Sequence, residues 1–161
     1  MSTDHITNPL RLRHWHGHME PEYAYTLGIA GERFFKEIKE NGRIMGTKCK
    51  KCGRIYVPPK LYCEECFEKL EEWVEVGTRG KVYTYTVAYL DKHGEKLERP
   101  VIYAFIKFEG KFGGLIHRLG EVKPEEVKIG MPVEAVFKPQ PERTGTINDI
   151  KYFKPIGEGE G

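Results

Sequence analysis

Residues 49–66 read CKKCGRIYVPPKLYCEEC, and this stretch decides how the first half of the chain folds. Its four cysteines form two CxxC pairs, Cys49 with Cys52 and Cys63 with Cys66, and the chain has no others. Two thiolates three residues apart can bind one metal ion where the backbone turns sharply between them. The spacing therefore predicts a tetrahedral four-cysteine site of the zinc-ribbon type, with one zinc ion as cofactor.

Two other uses of the four thiols stay open at this point. Iron in a rubredoxin-like site takes the same ligands and would make the protein an electron carrier. A pair of disulfides would suit a secreted protein, but no signal peptide is visible in the sequence, so metal is favoured over cross-links. We accordingly expect a cytoplasmic protein. Lysine and arginine crowd the first pair and would lower the cost of deprotonating the thiols; they are Lys48, Lys50, Lys51 and Arg54.

Length and composition set further limits. A chain of 161 residues holds one or two small domains. No apolar run approaches the roughly 20 residues that cross a bilayer, so we expect no membrane segment. The formal net charge of +2 is close to balance, whereas a dedicated nucleic-acid binder usually has a stronger positive excess. Richness in Lys, Glu and Arg with a single Gln is typical of a thermophile.

The chain is poorly equipped for catalysis of its own. Its one serine is Ser2 in the first residues, and its cysteines are assigned to metal, so a serine or cysteine nucleophile is excluded. His117, Glu121 and Glu134 could act as acid–base groups. Single histidines and glutamates on strands are more often structural, however, and we predict no catalytic residue.

The first 42 residues read as an arm and a helix. His14, His16 and His18 alternate within residues 1–19, which indicates either a second metal site or an exposed polar arm; the arm is favoured. Residues 21–40 predict a helix with Pro21 in its first turn. Its apolar stripe consists of Leu27, Ala30, Phe34, Phe35 and Ile38. Whether this stripe docks on its own chain or on another protein stays open.

The rest of the chain predicts a mainly β protein: a zinc ribbon at 43–72, a five-stranded barrel of the OB type at 73–155 and a flexible tail at 156–161. Residues 111–114 predict a turn or bulge, and residues 124–127 a short helical turn. Strict alternation would place Val82 and Thr84 on one face of the first barrel strand and Tyr83 and Tyr85 on the other. The five predicted strands are 81–89, 101–108 with Pro100 at its start, 115–119, 133–137 and 150–153.

Residues 34–155 resemble a known family, in which N-terminal helices precede a rubredoxin-like zinc ribbon fused to an acyl-CoA-associated OB-fold. Two places differ from the commonest family pattern, although both keep its broad chemistry. Phe35 stands where the family commonly has tryptophan or another aromatic residue, and Lys60 stands where arginine is usual, so the planar fork of a guanidinium is lost. The motifs that carry the resemblance are Phe34-Phe35, Cys49-x-x-Cys52-Gly53, Pro58-Pro59-Lys60, Cys63-x-x-Cys66, GKVYTYTV at 80–87, IGMPV at 129–133 and YFKP at 152–155.

The resemblance implies a non-catalytic scaffold rather than a free-standing enzyme. The family is similar to the small subunit that accompanies thiolase-like enzymes. In archaea that subunit bridges acetoacetyl-CoA thiolase and hydroxymethylglutaryl-CoA synthase in the mevalonate pathway of isoprenoid biosynthesis. Tyrosine rings and cations could hold coenzyme A or a partner. The candidate contacts are Phe34, Phe35, Pro58, Lys60, Arg79, Lys81, Tyr83, Tyr85 and Arg118.

A second class of function is a nucleic-acid-binding module. Zinc ribbons and OB-folds both bind RNA or single-stranded DNA with aromatic platforms in a basic groove. The near-neutral charge and the acidic second knuckle, Glu64-Glu65, speak against it. We therefore expect a thiolase- or synthase-type enzyme as the partner, and no nucleic acid.

Overall fold

The structure is a computed structural model that describes residues 25–157. Within these residues one helix precedes a small four-stranded sheet and a five-stranded barrel, which confirms the predicted fold class. No helix of this part of the chain is long and apolar enough to span a membrane. In chain order the elements are α1 (Gly28–Asn41), β1 (Met45–Lys48), β2 (Ile55–Val57), β3 (Glu72–Glu75), β4 (Arg79–Leu90), β5 (Lys96–Lys107), β6 (Phe112–Gly113), β7 (Leu115–Arg118), β8 (Pro132–Phe137) and β9 (Ile150–Pro155).

The helix α1 packs on its own chain through one stripe. Ala30, Phe34 and Ile38 recur every four residues and are buried, and Phe35 packs beside them. Gly42 ends the helix in the left-handed conformation and donates its N–H to the carbonyl of Ile38 at 3.1 Å. The stripe therefore serves intramolecular docking.

The predicted start of the helix was wrong for the residues that the structure describes. The helix begins at Gly28, and Leu27, a predicted stripe residue, is 59% exposed. Gly28 has a φ of 65°, and a right-handed helix does not propagate through a left-handed residue. Pro21 lies outside the described residues, as do His14, His16 and His18.

The ribbon sheet has the order β3-β1-β2-β6. The strand β6 lies in the stretch where a turn or bulge was expected, but it pairs in parallel with β2 instead. Gly113 makes this possible: it has a φ of 87°, and a Cβ there would lie 2.2 Å from the carbonyl oxygen of Val57. The next amide, of Gly114, donates to that same oxygen at 2.8 Å. A barrel loop thus completes the ribbon sheet.

The barrel sheet has the order β7-β5-β4-β8-β9, and a parallel bridge between Leu119 and Phe153 joins its two ends. This is the strand order of a five-stranded OB barrel. A 3₁₀ turn at Pro124–Glu126 links its third and fourth strands, as predicted. The strand β3, which precedes the barrel in the chain, pairs with β1, so Trp73 belongs to the ribbon sheet.

The strand β4 does not keep a strict alternation. Val82 pairs with Ile106 and Thr84 with Phe105, which leaves Tyr83 as an extra residue. This bulge moves Tyr85 onto the same face as Val82, opposite the buried Ala104. The predicted assignment of Val82 and Thr84 to one face, with Tyr83 and Tyr85 on the other, was therefore wrong.

The strand β5 also differs from the prediction, because it begins at Lys96 and not at Pro100. A proline inside a strand removes one hydrogen-bond donor. The neighbouring strand β7 pairs with β5 only from Tyr103 onward, so the missing N–H at Pro100 costs no bond on that side. The early part of β5 is an edge, where proline is tolerated.

One hydrophobic core unites the helix, the ribbon and the barrel. Phe34 from α1, Val57 from β2 and Ile106 from β5 belong to the same buried cluster. The last turn of the helix also meets the loop before β9, where the Gln140 amide donates to the carbonyl of Glu40 at 3.2 Å. The ribbon is therefore fixed against the barrel by packing as well as by β6.

Candidate metal centre and partner surfaces

The two cysteine pairs lie in two tight turns of the ribbon. In the first turn, Gly53 has a φ of 73° and donates its N–H to the carbonyl of Cys49 at 2.9 Å. In the second, Phe67 has a φ of 55° and donates to the carbonyl of Cys63 at 3.0 Å. Each turn directs its two thiols to the same side of the backbone, which is the knuckle geometry predicted from the spacing.

The four sulfur atoms converge on one point. The Sγ atoms of Cys49, Cys52, Cys63 and Cys66 all lie within 4.8 Å of one another, and those of Cys52 and Cys63 are 3.6 Å apart. A tetrahedral ion with zinc–sulfur bonds of about 2.3 Å requires sulfurs about 3.8 Å apart. A disulfide requires about 2.05 Å, and all four cysteines are free. The sulfurs are therefore positioned to bind a metal and are not cross-linked.

A buried tyrosine supports one of the ligands. The Tyr56 hydroxyl donates to Cys63 Sγ at 3.2 Å and accepts the N–H of Glu64 at 3.3 Å. This hydrogen bond lowers the pKa of Cys63 to about 6, because it stabilises the thiolate. Burial raises the pKa of Cys66 to about 12. Four thiolates in this volume thus need a bound cation, which the convergent donor set is suited to accept.

The basic residues near the first knuckle are only partly available to the thiolates. Arg54 forms an ion pair with Glu65, and Lys48 Nζ lies 3.5 Å from Glu72 Oε1. Lys50 and Lys51 are exposed. We had expected all four cations to favour deprotonation of the thiols. Two of them, Lys48 and Arg54, instead form ion pairs with carboxylates of the ribbon.

The predicted contacts on the helix and the ribbon lie in different surroundings. Phe34 is 3% exposed in the core and forms an edge-to-face contact with Phe35, with ring centroids 5.3 Å apart. Phe34 therefore offers no surface to a partner, because its side chain serves packing. Pro58 and Lys60 are exposed, and the Lys60 ammonium is paired with Glu64.

The predicted contacts on the barrel separate into two places. Lys81 and Tyr83 line one cleft beside the end of β5. Arg79 Nε lies 3.5 Å from Glu134 Oε1, and Arg118 Nε donates to the carbonyl of Lys151 at 2.7 Å. Tyr85 lies on the same face of β4 as Val82 but is 36% exposed. The structure brings Lys81 and Tyr83 together, but not the whole set.

The three candidate acid–base groups are each engaged in a separate contact. His117 is 7% exposed and its Nε2 lies 3.2 Å from the carbonyl of Ile147. Glu121 accepts a hydrogen bond from Tyr152, and Glu134 accepts one from Thr78 at 3.1 Å. Each group therefore forms a contact within the barrel, and the three do not converge on one site.

The structure adds residues that spacing did not indicate. Tyr56 follows the first knuckle on β2, and its side chain reaches the second knuckle only through the fold. Lys107 and Lys111 join Lys81 at the cleft through strand pairing and the following loop.

The fold and the cysteine site define a class of protein: a ribbon-type metal-binding module fused to an OB-type barrel. Two family models match accordingly, the ChsH2 rubredoxin-like zinc ribbon domain over residues 37–71 and the ChsH2 C-terminal OB-fold domain over residues 73–138. These matches confirm the resemblance inferred from the motifs.

Curated relatives and a solved structure narrow this class to one family. A DUF35 domain-containing scaffold protein of Methanocaldococcus jannaschii is 36% identical over 128 residues, covering 77% of this chain and 89% of that protein. The benzoylsuccinyl-CoA thiolase subunit BbsA of Geobacter metallireducens is 33% identical over 124 residues, covering 74% and 82%. A crystal structure of a DUF35 family protein of unknown function from Sulfolobus solfataricus has a TM-score of 0.60 and 42% identity, covering 68% and 78%. The chain belongs to the family of DUF35 domain-containing scaffold proteins.

Proposed function

We propose that this chain is a non-catalytic scaffold subunit that binds a thiolase-superfamily enzyme and assists the handling of its acyl-CoA substrates. The observation that carries the proposal is the match, over most of both chains, to a protein named as a subunit of a thiolase. The DUF35 relatives named as scaffold proteins point to the same role. Acetoacetyl-CoA thiolase and hydroxymethylglutaryl-CoA synthase, the enzymes of the mevalonate route, are the partners that we propose.

The second knuckle offers a surface for such a partner. Phe67 is 81% exposed, and Tyr62 and Leu61 are also exposed on the same short segment. Large apolar side chains clustered at the surface are typical of protein–protein contacts. Glu64 and Glu65 beside them are paired with cations of the same module, so they add little net charge to this surface. Such an apolar, nearly neutral surface is suited to burial against a partner enzyme.

The metal has a structural role in this proposal. We propose one zinc ion, held by Cys49, Cys52, Cys63 and Cys66, because four thiolates are the usual ligand set of structural zinc. When bound, the ion supplies the cross-link that holds both knuckles, and with them the exposed Phe67. Metal analysis of the purified protein tests this: one zinc per chain is expected, and stoichiometric iron with its visible absorption would contradict it.

Co-expression tests the partner. The chain is produced together with the thiolase and the synthase of the same genome, and the complexes are analysed by size-exclusion chromatography with light scattering. A stable complex is expected with the native chain, and Phe67→Asp is expected to release it. Tyr89→Asp, at an exposed tyrosine on the β4–β5 hairpin, is the matched control. If neither enzyme co-elutes with the native, metal-loaded chain, the proposal is wrong.

A further inference from the structure

The strand β4 has one edge that is left uncovered over most of its length. The strand β8 pairs with only the first three residues of β4, and the turn before β8 makes the last contact at Val82, whose N–H donates to the carbonyl of Met131 at 2.9 Å. Within residues 25–157, no strand pairs with this edge beyond that point. Residues 84–90 therefore present backbone N–H and C=O groups without a neighbouring strand, along about 24 Å of extended chain.

The two edges of the hairpin formed by β4 and β5 differ in sequence. The outer edge of β5 is also free before Ile102, because β7 pairs with β5 only from Tyr103 onward. That edge carries three charged residues and a proline, and charge and proline are the usual means by which a protein keeps a free edge from pairing with another chain. They are Lys96, Glu98, Arg99 and Pro100. The outer edge of β5 is therefore protected against strand addition.

The free edge of β4 has neither protection. Residues 84–90 read TYTVAYL, with no charged residue and no proline, and five of the seven are β-branched or aromatic. Tyr85, Tyr89 and Leu90 are 36%, 58% and 58% exposed. An exposed, uncharged edge of this composition is a template for another strand. The contrast within one hairpin favours β4 as the edge that accepts a partner strand.

The sequence of this edge is close to symmetric about Val87. Tyr85 and Tyr89 lie two residues on either side of it, and Thr86 and Ala88 lie one residue on either side. An antiparallel pairing of two copies with its two-fold axis at Val87 therefore places Tyr85 of each copy opposite Tyr89 of the other. Aromatic residues directly opposite each other stabilise antiparallel strands. A second copy thus fits this edge through its own sequence.

The charges at the two ends of the edge complement each other in the same arrangement. Lys81 precedes the free residues, and Asp91 follows them. Pairing about Val87 places Asp91 of one copy opposite the Tyr83 bulge of the other, and Lys81 of that other copy is then its diagonal neighbour. Within the part of the chain that the structure describes, neither Lys81 nor Asp91 forms an ion pair. The two-fold arrangement offers each of them a group of opposite charge.

We propose that two copies of this chain pair antiparallel through residues 84–90 of β4, about a two-fold axis at Val87. The two hairpins then form one four-stranded sheet, and a single contact covers the uncharged edge of both copies. Such a contact is isologous, because the same residues serve on each side. The inference goes beyond the proposed function, because the pairing needs no enzyme. It also leaves the second-knuckle surface of each copy unoccupied, since Phe67 lies on the ribbon and not on the hairpin.

Sedimentation equilibrium of the purified, metal-loaded chain over micromolar to millimolar concentrations tests the pairing. A reversible dimer of twice the 18.6 kDa chain mass is expected. Thr84→Lys combined with Thr86→Lys, both at exposed positions of the edge, is expected to weaken the dimer at least about tenfold, because the two-fold axis brings four added charges together. Ile116→Lys combined with Ile129→Lys adds the same charge at sites that are 73% and 70% exposed, and this control is expected to dimerise like the native chain.

Amide hydrogen exchange of the native chain locates the contact without any variant. Protection of residues 84–90 is expected to rise with protein concentration, whereas residues 96–101 on the opposite edge are expected to keep their exchange rates. In an equal mixture of isotope-labelled and unlabelled chains, a nuclear Overhauser effect between Tyr85 and Tyr89 of different copies is expected, and its absence would overturn the axis at Val87. These measurements keep the proposal testable if the lysine variant does not fold.

Four outcomes would overturn the pairing itself. The chain sediments as a monomer at millimolar concentration, both double variants lose the dimer equally, the concentration-dependent protection lies outside residues 84–90, or this edge becomes protected only when a thiolase-superfamily enzyme is added. The last outcome would identify a strand of the enzyme as the occupant. Phe67→Asp, which is expected to release the enzyme, is expected to leave the dimer intact, so failure of the enzyme complex and failure of the dimer are distinguishable.

Discussion

The ribbon and the barrel differ in how much apolar surface they bury. The buried cluster at the metal centre has four residues, whereas the barrel contributes most of a second buried cluster of sixteen. The four residues are Cys49, Tyr56, Cys63 and Leu70. Ordering each residue of a backbone costs about 1–2 kcal/mol. A four-residue cluster cannot offset that cost over a whole module, but the larger cluster can. Two modules of one chain thus reach stability by different means, the ribbon through a bound ion and the barrel through buried apolar area.

The largest effect is expected on removing the metal. Metal binding contributes roughly 10–16 kcal/mol in zinc-finger peptides, so chelation is expected to unfold the ribbon while the barrel keeps its sheet. Amide hydrogen exchange measures this directly: β1 to β3 lose protection, and β5 retains it. Cys63→Ala is expected to reproduce the result, and Lys51→Ala, at an exposed neighbour of Cys52, is the control. Loss of protection in β5 at the same rate would show that the modules do not differ in this way.

The next largest effect is expected from a substitution in the core of the barrel. Phe153 is fully buried at the bridge that joins the two ends of the barrel sheet. Phe153→Ala is expected to lower the free energy of unfolding by about 3–5 kcal/mol, with zinc content unchanged. Chemical denaturation and metal analysis measure the two quantities. Ile116→Ala, at an exposed position, is expected to change neither; a loss of zinc in Phe153→Ala would contradict the separation.

The contact between the ribbon and the barrel depends on the pairing of β2 with β6, which Gly113 allows. A Cβ at this position would clash with the carbonyl oxygen of Val57 and would sit on a backbone with positive φ. Gly113→Ala is therefore expected to cost about 2 kcal/mol and to separate the unfolding of the ribbon from that of the barrel. Gly110 also has positive φ but meets no atom within 4 Å, so Gly110→Ala is expected to cost about 1 kcal/mol. Equal effects of the two variants in thermal unfolding would show that the clash is absent.

A smaller effect is expected at the tyrosine beside the metal. Tyr56→Phe removes the hydrogen bond to Cys63 Sγ and keeps the ring, so zinc affinity is expected to fall about tenfold. Competition with a coloured chelator measures the affinity. Tyr62→Phe, at an exposed tyrosine of the same module, is expected to leave it unchanged. An unaltered affinity in Tyr56→Phe would mean that the hydroxyl does not support the ligand.

The smallest effect concerns pH. Burial holds the pKa of His117 below its usual value, so the folded barrel binds a proton less readily than the unfolded chain. The free energy contributed by neutral His117 is thus complete above the unfolded pKa, about 6.5, and declines as the pH falls below it. Between pH 7.5 and 5.5, His117→Gln is expected to flatten this decline, measured by denaturation at each pH. His93→Gln, at an exposed histidine, is expected to leave the slope as it is, and a slope unchanged in both variants would rule out His117 as its source.

The four-cysteine ligand set could be predicted from the sequence, because a CxxC turn encodes the ligand geometry within a few residues. The barrel was predictable for a related reason: its strands alternate, and turn residues separate them. The helix start was not predictable, because the sequence alone does not reveal that Gly28 adopts a left-handed φ. Phe34 and Phe35 could be placed on a stripe, but only packing showed that the stripe faces the barrel.

What the sequence could not show depends on contacts between distant segments. The bulge at Tyr83 reverses the faces of β4, because Val82 and Thr84 pair across it with neighbouring residues of β5. The cleft joins Lys81, Lys107 and Ile129 from three segments that no local spacing relates. Tyr56 likewise meets the second knuckle only in the folded ribbon. These features arise from strand register, which a period of two residues does not determine when a bulge intervenes.

The pairing of β6 with β2 has a consequence for how such modules are exchanged during evolution. A ribbon cut out at residue 71 would leave the edge of β2 bare, and an open edge invites association with foreign strands. The strand that covers this edge is β6, which lies in the barrel between β5 and β7. Transfer of this ribbon to another protein therefore requires a barrel in which the connection between the second and third strands forms a short strand ending in glycine, as β6 does here.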